Sequence, residues 1–373
     1  MANTDNRSKK KVVSRYDIKI IFPVIFLTGL GIIMVYSSSS AIALKKFSGE
    51  YFFLKKQILF AMIGLATMFF CARFPYKYYR NLAYPLLCLS VFLLILVKFT
   101  ALGYSAGGSQ RWLYFAGYSF QPSELARFAM IIFLAYSLHK KQDNIKEFSI
   151  GFLPHIILLI ILTSLIIIQP DFGATAILWA ITWIMLFIGG VRLLYLSSSL
   201  VIIIPVGCCF IIYSGYRINR ILSFLDPWAH MQDGGYQIVQ SLIAFGTGGI
   251  WGVGIGKGLQ KLFYLPESHT DFIFSIIGEE LGLCGVLVII ILYGFILWKG
   301  IVIANNAPDL FGSFLAMGLT AAMGLQILTN MGVALGMLPT KGLTLPLISY
   351  GGTSLLFSMA SIGILMNIGA TKK

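Results

Sequence analysis

Charged side chains are scarce in this chain of 373 residues: only 11% are Asp, Glu, Lys or Arg, whereas 58% are hydrophobic. About a quarter of the residues in a soluble domain are normally charged. The deficit excludes a soluble globular protein and indicates a chain whose solvent is the lipid bilayer. The remaining charges give a net charge of +14. They lie mostly in short segments between apolar runs, which indicates membrane orientation and not nucleic-acid binding.

The sequence also lacks the spacings that are typical of disulfide frameworks, zinc sites and phosphate-binding loops. Gly256-Lys257 is followed by Gly258 instead of Ser or Thr, which excludes a Walker-type loop. Cysteines inside apolar stretches usually act as small core residues. All five cysteines lie in such stretches: Cys71, Cys88, Cys208, Cys209 and Cys284.

Long apolar runs are abundant, and ten of them can form membrane-spanning helices, which need roughly 20 residues each. The runs cover residues 18–36, 57–72, 82–99, 122–139, 150–168, 172–188, 191–214, 272–298, 310–335 and 347–368. Segments on one side carry fifteen Lys or Arg, and the short loops on the other side carry six. Because basic residues are enriched in cytoplasmic loops, both termini should be cytoplasmic. The sequence thus predicts an all-α polytopic protein of the bacterial cytoplasmic membrane with about ten transmembrane helices.

A single membrane domain, residues 18–369, is expected between a basic cytoplasmic tail, 1–17, and a short C-terminal tail, 370–373. No small-residue cleavage site follows the basic tail, so we expect the first helix to remain as an anchor. The large outer loop, about residues 215–271, contains a segment, 236–258, that is apolar first and then rich in glycine. It is either an eleventh span or a re-entrant or surface-lying segment. The glycines favour irregular backbone, which at membrane depth must be buried in protein or line a cavity.

Ionisable residues in or near the membrane are costly and therefore mark candidate functional sites. On the predicted topology, only Glu279 and Glu280 lie deep, where structural hydrogen bonds explain them best. A transporter would instead place its site near the midplane. The other candidates lie at the outer face: Arg111, Glu124, Arg127, Asp171, Glu267, His269, Asp271 and Lys341.

Several of these candidates have structural alternatives. Glu124 and Arg127 are spaced i, i+3 and could neutralise each other instead of binding a ligand. Asp171 precedes a helix and is typical of an N-cap. His269 could make a structural hydrogen bond or take part in catalysis. The run Ser37 to Ser40 is expected to be a solvated helix end.

Neither ATP nor other cytosolic donors exist at the outer leaflet, which limits the chemistry that such a cluster can perform. A reaction there needs a donor that is already activated and delivered by the membrane, such as a lipid-linked diphosphate sugar. Cations would stabilise the diphosphate leaving group, while a carboxylate takes the proton of an attacking hydroxyl. The cluster therefore predicts a reaction that joins sugars.

Motifs spread from about residue 105 to 355 resemble those of the SEDS family. They are Gly108-Ser109-Gln110-Arg111-Trp112, Gln121-Pro122-Ser123-Glu124-Leu125, Gln169-Pro170-Asp171, Asp226-Pro227-Trp228, Gly235-Tyr236-Gln237, residues 264–274 around Asp271, and Ser349-Tyr350-Gly351-Gly352. The run 339–346, which contains Lys341, is similar to the cell-division branch, because the elongation branch usually lacks this lysine. The sporulation branch is very close in sequence and remains an alternative. Arg127 departs from the family, which commonly has Lys there, and the two cations are not equivalent donors.

The resemblance implies a peptidoglycan glycosyltransferase that polymerises lipid II into β-1,4-linked strands during septal synthesis, with inversion at the anomeric carbon. The family's catalytic aspartate falls on Asp271, the expected general base. The supporting residues would be Arg111, Glu124, Arg127, Glu267, His269 and Lys341. The structural motif residues would be Gln121, Pro122, Ser123, Asp171, Tyr350, Gly351 and Gly352.

The resemblance further implies a single-pass class B penicillin-binding protein as a transpeptidase partner, beside other membrane proteins of the divisome. A divalent cation, Mg²⁺ or Mn²⁺, could bridge the diphosphate, although the sequence shows no dedicated metal cage. Two other functions compete: a lipid II flippase, which needs a polar path through the whole bilayer, and a scaffold without chemistry. The outer position of the polar residues favours the polymerase.

Overall fold

The computed structural model describes residues 18–47, 49–106, 109–115, 117–212, 215–232 and 234–371. Three parts of the predictions lie outside the described residues: the N-terminal tail 1–17, Gly108 of the first motif, and the C-terminal Lys372 and Lys373. Their placement on the cytoplasmic or the outer side stays a prediction. The described part contains twelve α-helices and one small sheet. The predicted all-α fold class is confirmed.

Helices form at all ten predicted apolar runs, and two further helices lie in the loop between residues 215 and 271, which was predicted to be the large outer loop. In chain order they are α1 (Ile21–Phe47), α2 (Phe52–Arg73), α3 (Tyr79–Phe99), α4 (Pro122–Lys140), α5 (Leu153–Ile168), α6 (Phe172–Ile188), α7 (Leu193–Ile212), α8 (Gly215–Leu225), α9 (Tyr236–Gly248), α10 (Ile273–Asn305), α11 (Leu310–Ala334) and α12 (Gly352–Ala370). The helices of the loop are α8 and α9.

The described helices confirm a multi-pass membrane protein. Seven helical segments are long and apolar enough to cross a bilayer by length and composition, and α6 and the first part of α7 are apolar but shorter. Helix α4 has 19 residues but carries Glu124 and Arg127 in its first two turns. The count of ten spans therefore stays a prediction.

Helix α1 does not end in solvent near residue 36, as the serine run suggested. It continues to Phe47, and Ser37, Ser38 and Ser39 are buried. The hydroxyls of Ser38 and Ser39 donate to carbonyls one turn earlier, with oxygen–oxygen distances of 2.7 and 2.6 Å. Because these bonds satisfy the hydroxyls inside the helix, the serine run can be buried, and its interpretation as a solvated end was wrong.

Helices α11 and α12 form the centre of the bundle. In their most apolar windows 72% and 78% of the residues are buried, against 28% in α2. Close packing around α11 is possible because it carries small residues. A Cβ on Gly318 would lie 2.7 Å from the Met185 sulfur of α6 and 2.8 Å from a side-chain carbon of Ile131 of α4. Helices α4, α6 and α10 all pack against α11, which brings the N-terminal ends of these three helices together.

A small antiparallel sheet, which the sequence did not predict, lies between α3 and α4. It consists of β1 (Gly103–Ala106), β2 (Ser109–Phe115) and β3 (Tyr118–Phe120), in the order β1-β2-β3. Tyr104 pairs with Trp112, and Leu113 pairs with Phe120. The sheet fixes the backbone of β2, from which Arg111 projects toward the start of α6.

Helix α10 is broken at Gly282, whose φ of 64° lies in the left-handed region that favours glycine. The break frees backbone groups, and the loop after α9 bonds to them like a neighbouring strand. The N–H groups of Val253 and Gly254 donate to the carbonyls of Glu279 and Glu280, both at 3.0 Å. In return, the N–H of Leu283 donates to the Gly249 carbonyl at 2.9 Å.

This pairing explains the glycine-rich segment. A Cβ at Gly252 would lie 2.2 Å from the Glu280 carbonyl oxygen, so only glycine permits the approach. Helix α9 has 13 residues and covers about 20 Å at ~1.5 Å per residue, less than the roughly 30 Å of the hydrocarbon core. The geometry therefore argues against an eleventh span and for irregular backbone that is hydrogen-bonded to α10. Its depth in the bilayer stays a prediction.

Candidate active site

Asp271 lies in a tight turn immediately before α10. The Glu267 carbonyl accepts the N–H groups of Asp271 and Phe272 at 3.1 and 3.2 Å, and Glu267 itself has a left-handed φ of 54°. The residue in the N-cap position of α10 is Phe272, and no side chain caps this helix. The Asp271 carboxylate is therefore not used as a helix cap.

The environment of Asp271 favours a carboxyl group that titrates near neutral pH. Burial, followed by the negative charge of Glu267, raises the pKa of Asp271 to about 7. Arg111 and Arg220 lower this pKa and Asp171 raises it, which shows that their charges are close enough to interact with the carboxylate. A base with a pKa near the operating pH is the most effective one.

Arg111 and Asp171 form the cationic and anionic sides of this cluster. The Arg111 Nη1 atom lies 3.6 Å from Asp171 Oδ1, and its Nη2 atom donates to the Pro170 carbonyl at 2.8 Å and to Ser109 Oγ at 2.9 Å. Asp171 also caps α6, because its Oδ1 accepts the Ala174 N–H at 3.1 Å. The N-cap prediction for Asp171 thus agrees with the structure, but the same carboxylate also orients Arg111.

The Gln-Pro-Ser-Glu motif connects Asp171 to α4. Gln121 Nε2 donates to Asp171 Oδ2 at 3.3 Å and to Ser123 Oγ at 3.0 Å. Pro122 is the first residue of α4, where its missing N–H is not needed. The motif therefore begins a helix and joins it to the neighbouring cap.

Glu124 and Arg127 form an ion pair inside the bundle, one turn into α4. Glu124 is only 7% exposed. The pair lines a cavity of about 20 Å³ that reaches Gln326 of α11 and Ser358 of α12, which is room for a single water molecule. Mutual neutralisation is thus realised, and a ligand could reach the pair only if this cavity widened.

Lys341 reaches the cluster from the loop between α11 and α12. Burial lowers the pKa of Lys341, and the charge of Asp171 partly offsets this effect. The same loop passes close to Asp271, because a Cβ at Gly342 would lie 3.1 Å from Asp271 Oδ2. The sequence motifs of residues 264–274 and 339–346 are therefore adjacent in space.

His269 packs between two aromatic rings. Its ring centroid lies 4.7 Å from that of Phe53 and 5.7 Å from that of Tyr350. Burial lowers the pKa of His269, the negative charge of Glu267 partly offsets this effect, and the positive charge of Lys46 lowers the pKa further. Its Nδ1 atom is buried and has no hydrogen-bond partner among the described residues. The structure therefore shows aromatic packing of His269 but not the expected structural hydrogen bond at this atom, and the role of His269 stays a prediction.

The Tyr-Gly-Gly motif fixes the turn that carries His269. The Tyr350 N–H donates to the His269 carbonyl at 3.0 Å, and Gly351 is the N-cap of α12. A Cβ at Gly352 would meet the Phe60 ring at 2.4 Å, so a larger residue here would displace this ring of α2. The motif thus attaches the start of α12 to the Asp271 turn.

Glu279 and Glu280 lie outside this cluster, and their carboxylates accept hydrogen bonds from the glycine-rich loop. Glu279 Oε1 accepts the Leu259 N–H at 2.8 Å, and Glu280 Oε2 accepts the Gly256 N–H at 3.0 Å. Glu280 also pairs with Lys261, a residue that the sequence did not single out. These contacts are the structural hydrogen bonds that were expected of both acids.

Two residues near Asp271 belong to none of the motifs or candidates that the sequence indicated. Arg220 of α8 donates from Nη1 to the Thr340 carbonyl at 3.3 Å, and Asn330 of α11 donates from Nδ2 to the Asp271 carbonyl at 2.8 Å. The amphipathic pattern of α8 places an arginine on one face, but no local signal shows that this face meets the Lys341 loop. Asn330 lies within the apolar helix α11. Its polar side chain in this surrounding was the signal that could have marked it as a candidate.

The comparisons with known proteins agree with this architecture. A family model described as cell cycle protein, FtsW/RodA/SpoVE, matches residues 18–373. The chain is 44% identical over 371 residues to the probable peptidoglycan glycosyltransferase FtsW of Geobacter metallireducens, covering 100% of this chain and 99% of that one. It is 40% identical over 352 residues to the stage V sporulation protein E of Bacillus subtilis, covering 94% and 96%.

One similar solved structure is described as "Structural coordination of polymerization and crosslinking by a peptidoglycan synthase complex". It superposes on this chain with a TM-score of 0.76 at 27% identity, and the match covers 95% of this chain and 97% of that one. The family resemblance that the outer motifs carried is therefore confirmed. The chain belongs to the FtsW/RodA/SpoVE family of membrane-embedded cell cycle proteins.

Proposed function

We propose that this protein is a peptidoglycan glycosyltransferase that polymerises lipid II at the outer face of the cytoplasmic membrane, with Asp271 as the general base. Full-length relatives at 44% identity that are named peptidoglycan glycosyltransferases support the activity. The observation that carries the assignment of the base is the Asp271 carboxylate, which is not a helix cap and stands among cations of separate segments.

The reaction requires one proton transfer and one displacement. The 4-hydroxyl of the acceptor GlcNAc attacks the anomeric carbon of the donor MurNAc and gives its proton to an Asp271 oxygen. The bond between that carbon and the diphosphate oxygen breaks, and its electron pair leaves with undecaprenyl diphosphate. Attack from the opposite side inverts the carbon and forms a β-1,4 link. A single base is sufficient because a diphosphate does not need to be protonated in order to leave.

Arg111, Lys341 and Arg220 are the cations available for the leaving diphosphate. They come from β2, from the loop before α12 and from α8, and each is associated with an acid or a carbonyl of the cluster. Cations held in advance by such contacts stabilise developing negative charge without first having to reorganise. Glu124 and Arg127 lie deeper, where they can orient Gln121 and the start of α4.

The residues present do not form a resident metal site. No group of three or more His, Cys, Asp or Glu side chains in the described ranges is arranged to hold a metal ion. Both Asp171 oxygens already accept hydrogen bonds from Ala174 and Gln121. A Mg²⁺ or Mn²⁺ ion would have to take most of its ligands from the diphosphate, and the steps above use only the protein's own groups.

Polymerisation is better supported than lipid II transport. A flippase needs a polar path through the whole bilayer, but the deep acids Glu279 and Glu280 are occupied by backbone N–H groups and Lys261. The cavity below Glu124 has room for only about one water molecule. A scaffold without catalytic activity would not need a carboxyl group with a pKa near 7, which burial gives Asp271.

We further propose a role in septal synthesis with a class B penicillin-binding protein as partner, among other membrane proteins of the divisome. The similarity to a chain of a peptidoglycan synthase complex supports a transpeptidase partner. The identity of 44% to relatives named FtsW supports division, and the 40% identity to a sporulation protein is the nearest competing assignment.

The experiment that tests the activity is reconstitution. The purified chain, its cognate class B penicillin-binding protein and lipid II are incubated, and the glycan products are separated on a gel. Long glycan strands should form with both proteins present and should disappear when this chain is omitted. A parallel assay with fluorescent lipid II in vesicles measures transport. Transport without any glycan product would overturn the proposal in favour of the flippase.

A further inference from the structure

Asn330 occupies an unusual position between two segments of the candidate site. It lies in α11 and is only 2% exposed. Its Nδ2 atom donates to the Asp271 carbonyl at 2.8 Å and to the Leu343 carbonyl at 2.6 Å. Both amide hydrogens are therefore used, each on a different loop.

The Asp271 carbonyl needs this donor because α10 does not supply one. The first carbonyl that accepts bonds from the helix is that of the N-cap residue Phe272, which receives the N–H groups of Ser275 and Ile276 at 3.0 and 3.4 Å. Asp271 precedes this residue, so its carbonyl lies outside the helical ladder. Asn330 supplies the donor for this carbonyl and holds the backbone of Asp271 at the helix start.

The second acceptor, Leu343, belongs to the loop that carries Lys341. Gly342 of this loop is so close that a Cβ there would lie 3.1 Å from Asp271 Oδ2. Arg220 contacts the same loop through the Thr340 carbonyl. One amide group therefore sets the distance between the proposed base and a loop associated with two of the proposed cations.

We propose that Asn330 is a positioning residue for the transfer reaction, which holds Asp271 and the Lys341 loop in their reactive arrangement. This inference rests on the proposed function of Asp271. Asn330 does not contact the substrate itself, because both amide hydrogens are bound to backbone carbonyls and its Oδ1 atom is buried. Since Asn330 sets the geometry of the reacting groups, its loss should lower kcat more than it changes KM.

A matched control for the loss of such an amide exists at the opposite end of the bundle. Asn367 of α12 donates to the Ala72 carbonyl at 2.7 Å and accepts the Tyr76 N–H at 2.8 Å. It also ties two backbone segments together, but far from Asp271. The variants Asn330→Ala and Asn367→Ala therefore remove comparable structural bonds and differ in what those bonds position.

The test measures kcat and KM of both variants with lipid II and the partner protein, per molecule of folded, monodisperse protein. Asn330→Ala should lower kcat by about 10²-fold, the usual effect of a displacement of about 1 Å at a reacting group, with little change in KM. Asn367→Ala should lower the melting temperature similarly but keep the wild-type kcat. If Asn330→Ala does not fold, Asn330→Ser, which keeps one donor, should show the same separation of kcat from KM at smaller size.

A wild-type kcat of folded Asn330→Ala would overturn the inference. If that variant does not fold, a wild-type kcat of Asn330→Ser would do the same. An equal loss of kcat in Asn367→Ala would also overturn it. Asp271→Asn is measured in the same assay to separate this failure from that of the proposed function. An active Asp271→Asn would refute the base itself. An inactive Asp271→Asn together with an unaffected Asn330 variant would refute only the positioning role.

Discussion

Lys261 and Glu280 lie nineteen residues apart in the sequence, yet Lys261 Nζ is 2.6 Å from Glu280 Oε1, and both side chains are almost completely buried. Ser37 of α1 contacts both partners, at 2.8 Å from Lys261 Nζ and 2.7 Å from Glu280 Oε1. The pair therefore attaches the glycine-rich loop to α1 and to the broken helix α10.

We expect removal of one partner to be far more damaging than removal of both. Lys261→Met should lower the free energy of unfolding by about 3–5 kcal/mol, because it leaves a buried carboxylate unpaired. The double change with Glu280→Met should recover much of this loss, with a coupling energy of about 2 kcal/mol. The measurement is thermal unfolding in detergent. Lys257→Met, at an exposed lysine of the same loop, is the control, and equal effects of Lys257→Met and Lys261→Met would contradict the prediction.

The sequence predicted the membrane helices well because each helix corresponds to one continuous apolar run of sufficient length. The predicted and observed bounds of α6, 172–188, coincide. The end of α1 was missed because a run of serines is usually exposed. In α1 the hydroxyls of Ser38 and Ser39 donate to carbonyls of their own helix, which allows these serines to be buried. The short sheet was missed because its strands have only three to seven residues, too few for an alternating pattern to stand out.

The candidate site was predicted only in part, for a related reason. Asp271, Arg111 and Lys341 belong to motifs that a family resemblance reveals, and the structure brings their segments together. Asn330 and Arg220 act through contacts with backbone carbonyls of distant loops. No local pattern encodes such contacts, since they exist only once α8 and α11 have packed.

Topology provides a second prediction. Fifteen basic residues in the segments predicted to be inside, against six in the short loops predicted to be outside, predict a cytoplasmic C-terminus. Alkaline phosphatase fused after Lys373 should therefore be inactive, since it folds only outside the cytoplasm, whereas a fusion in the loop after α8 should be active. Strong activity of the C-terminal fusion at normal expression would mean that one span has been miscounted.

Glu124 should be more sensitive to substitution than Asp226, although both acids are expected near the outer face. Glu124 is buried against Arg127, so Glu124→Gln leaves a buried cation without its partner and should lower polymerisation by at least about tenfold. Asp226 is exposed, and its Oδ1 accepts the Ala229 N–H in a local turn, which Asn reproduces.

Asp226→Asn should therefore stay within about twofold of wild type. Both variants are compared in the glycan gel assay at matched protein levels. Equal sensitivity of Asp226 would show that the site extends further along the outer loop than the cluster around Asp271.

The rate of polymerisation should fall in acid. A general base must be ionised, and burial beside Glu267 raises the pKa of Asp271 to about 7. Below this value the ionised fraction, and with it the rate, should fall about tenfold per pH unit. The check is the initial rate at saturating lipid II between pH 5 and 8, with protein integrity confirmed at each pH. A rate that is constant down to pH 5 would exclude Asp271 as a base with this pKa.

The strictest prediction is that Asp271→Asn abolishes glycan polymerisation while the protein remains folded, inserted and bound to its partner. The amide has nearly the shape of the carboxylate but cannot take the hydroxyl proton, and loss of general-base catalysis typically costs about 10²- to 10⁴-fold in rate. Helix capping is the structural alternative for an aspartate at this position. It has little support here, because α10 has no side-chain cap.

Asp309 provides the control for the Asp271 substitution, because it caps α11 by accepting the Gly312 N–H at 2.7 Å. Asn caps a helix almost as well as Asp, so Asp309→Asn should keep most of the activity, apart from the effect of a weaker contact with Arg80. If Asp271 only stabilised its turn, Asp271→Asn would behave like Asp309→Asn in the lipid II assay. Nearly full activity of Asp271→Asn, with normal membrane levels and partner binding, would remove Asp271 from the catalytic role, whereas a loss confined to Asp271→Asn separates proton transfer from local stability.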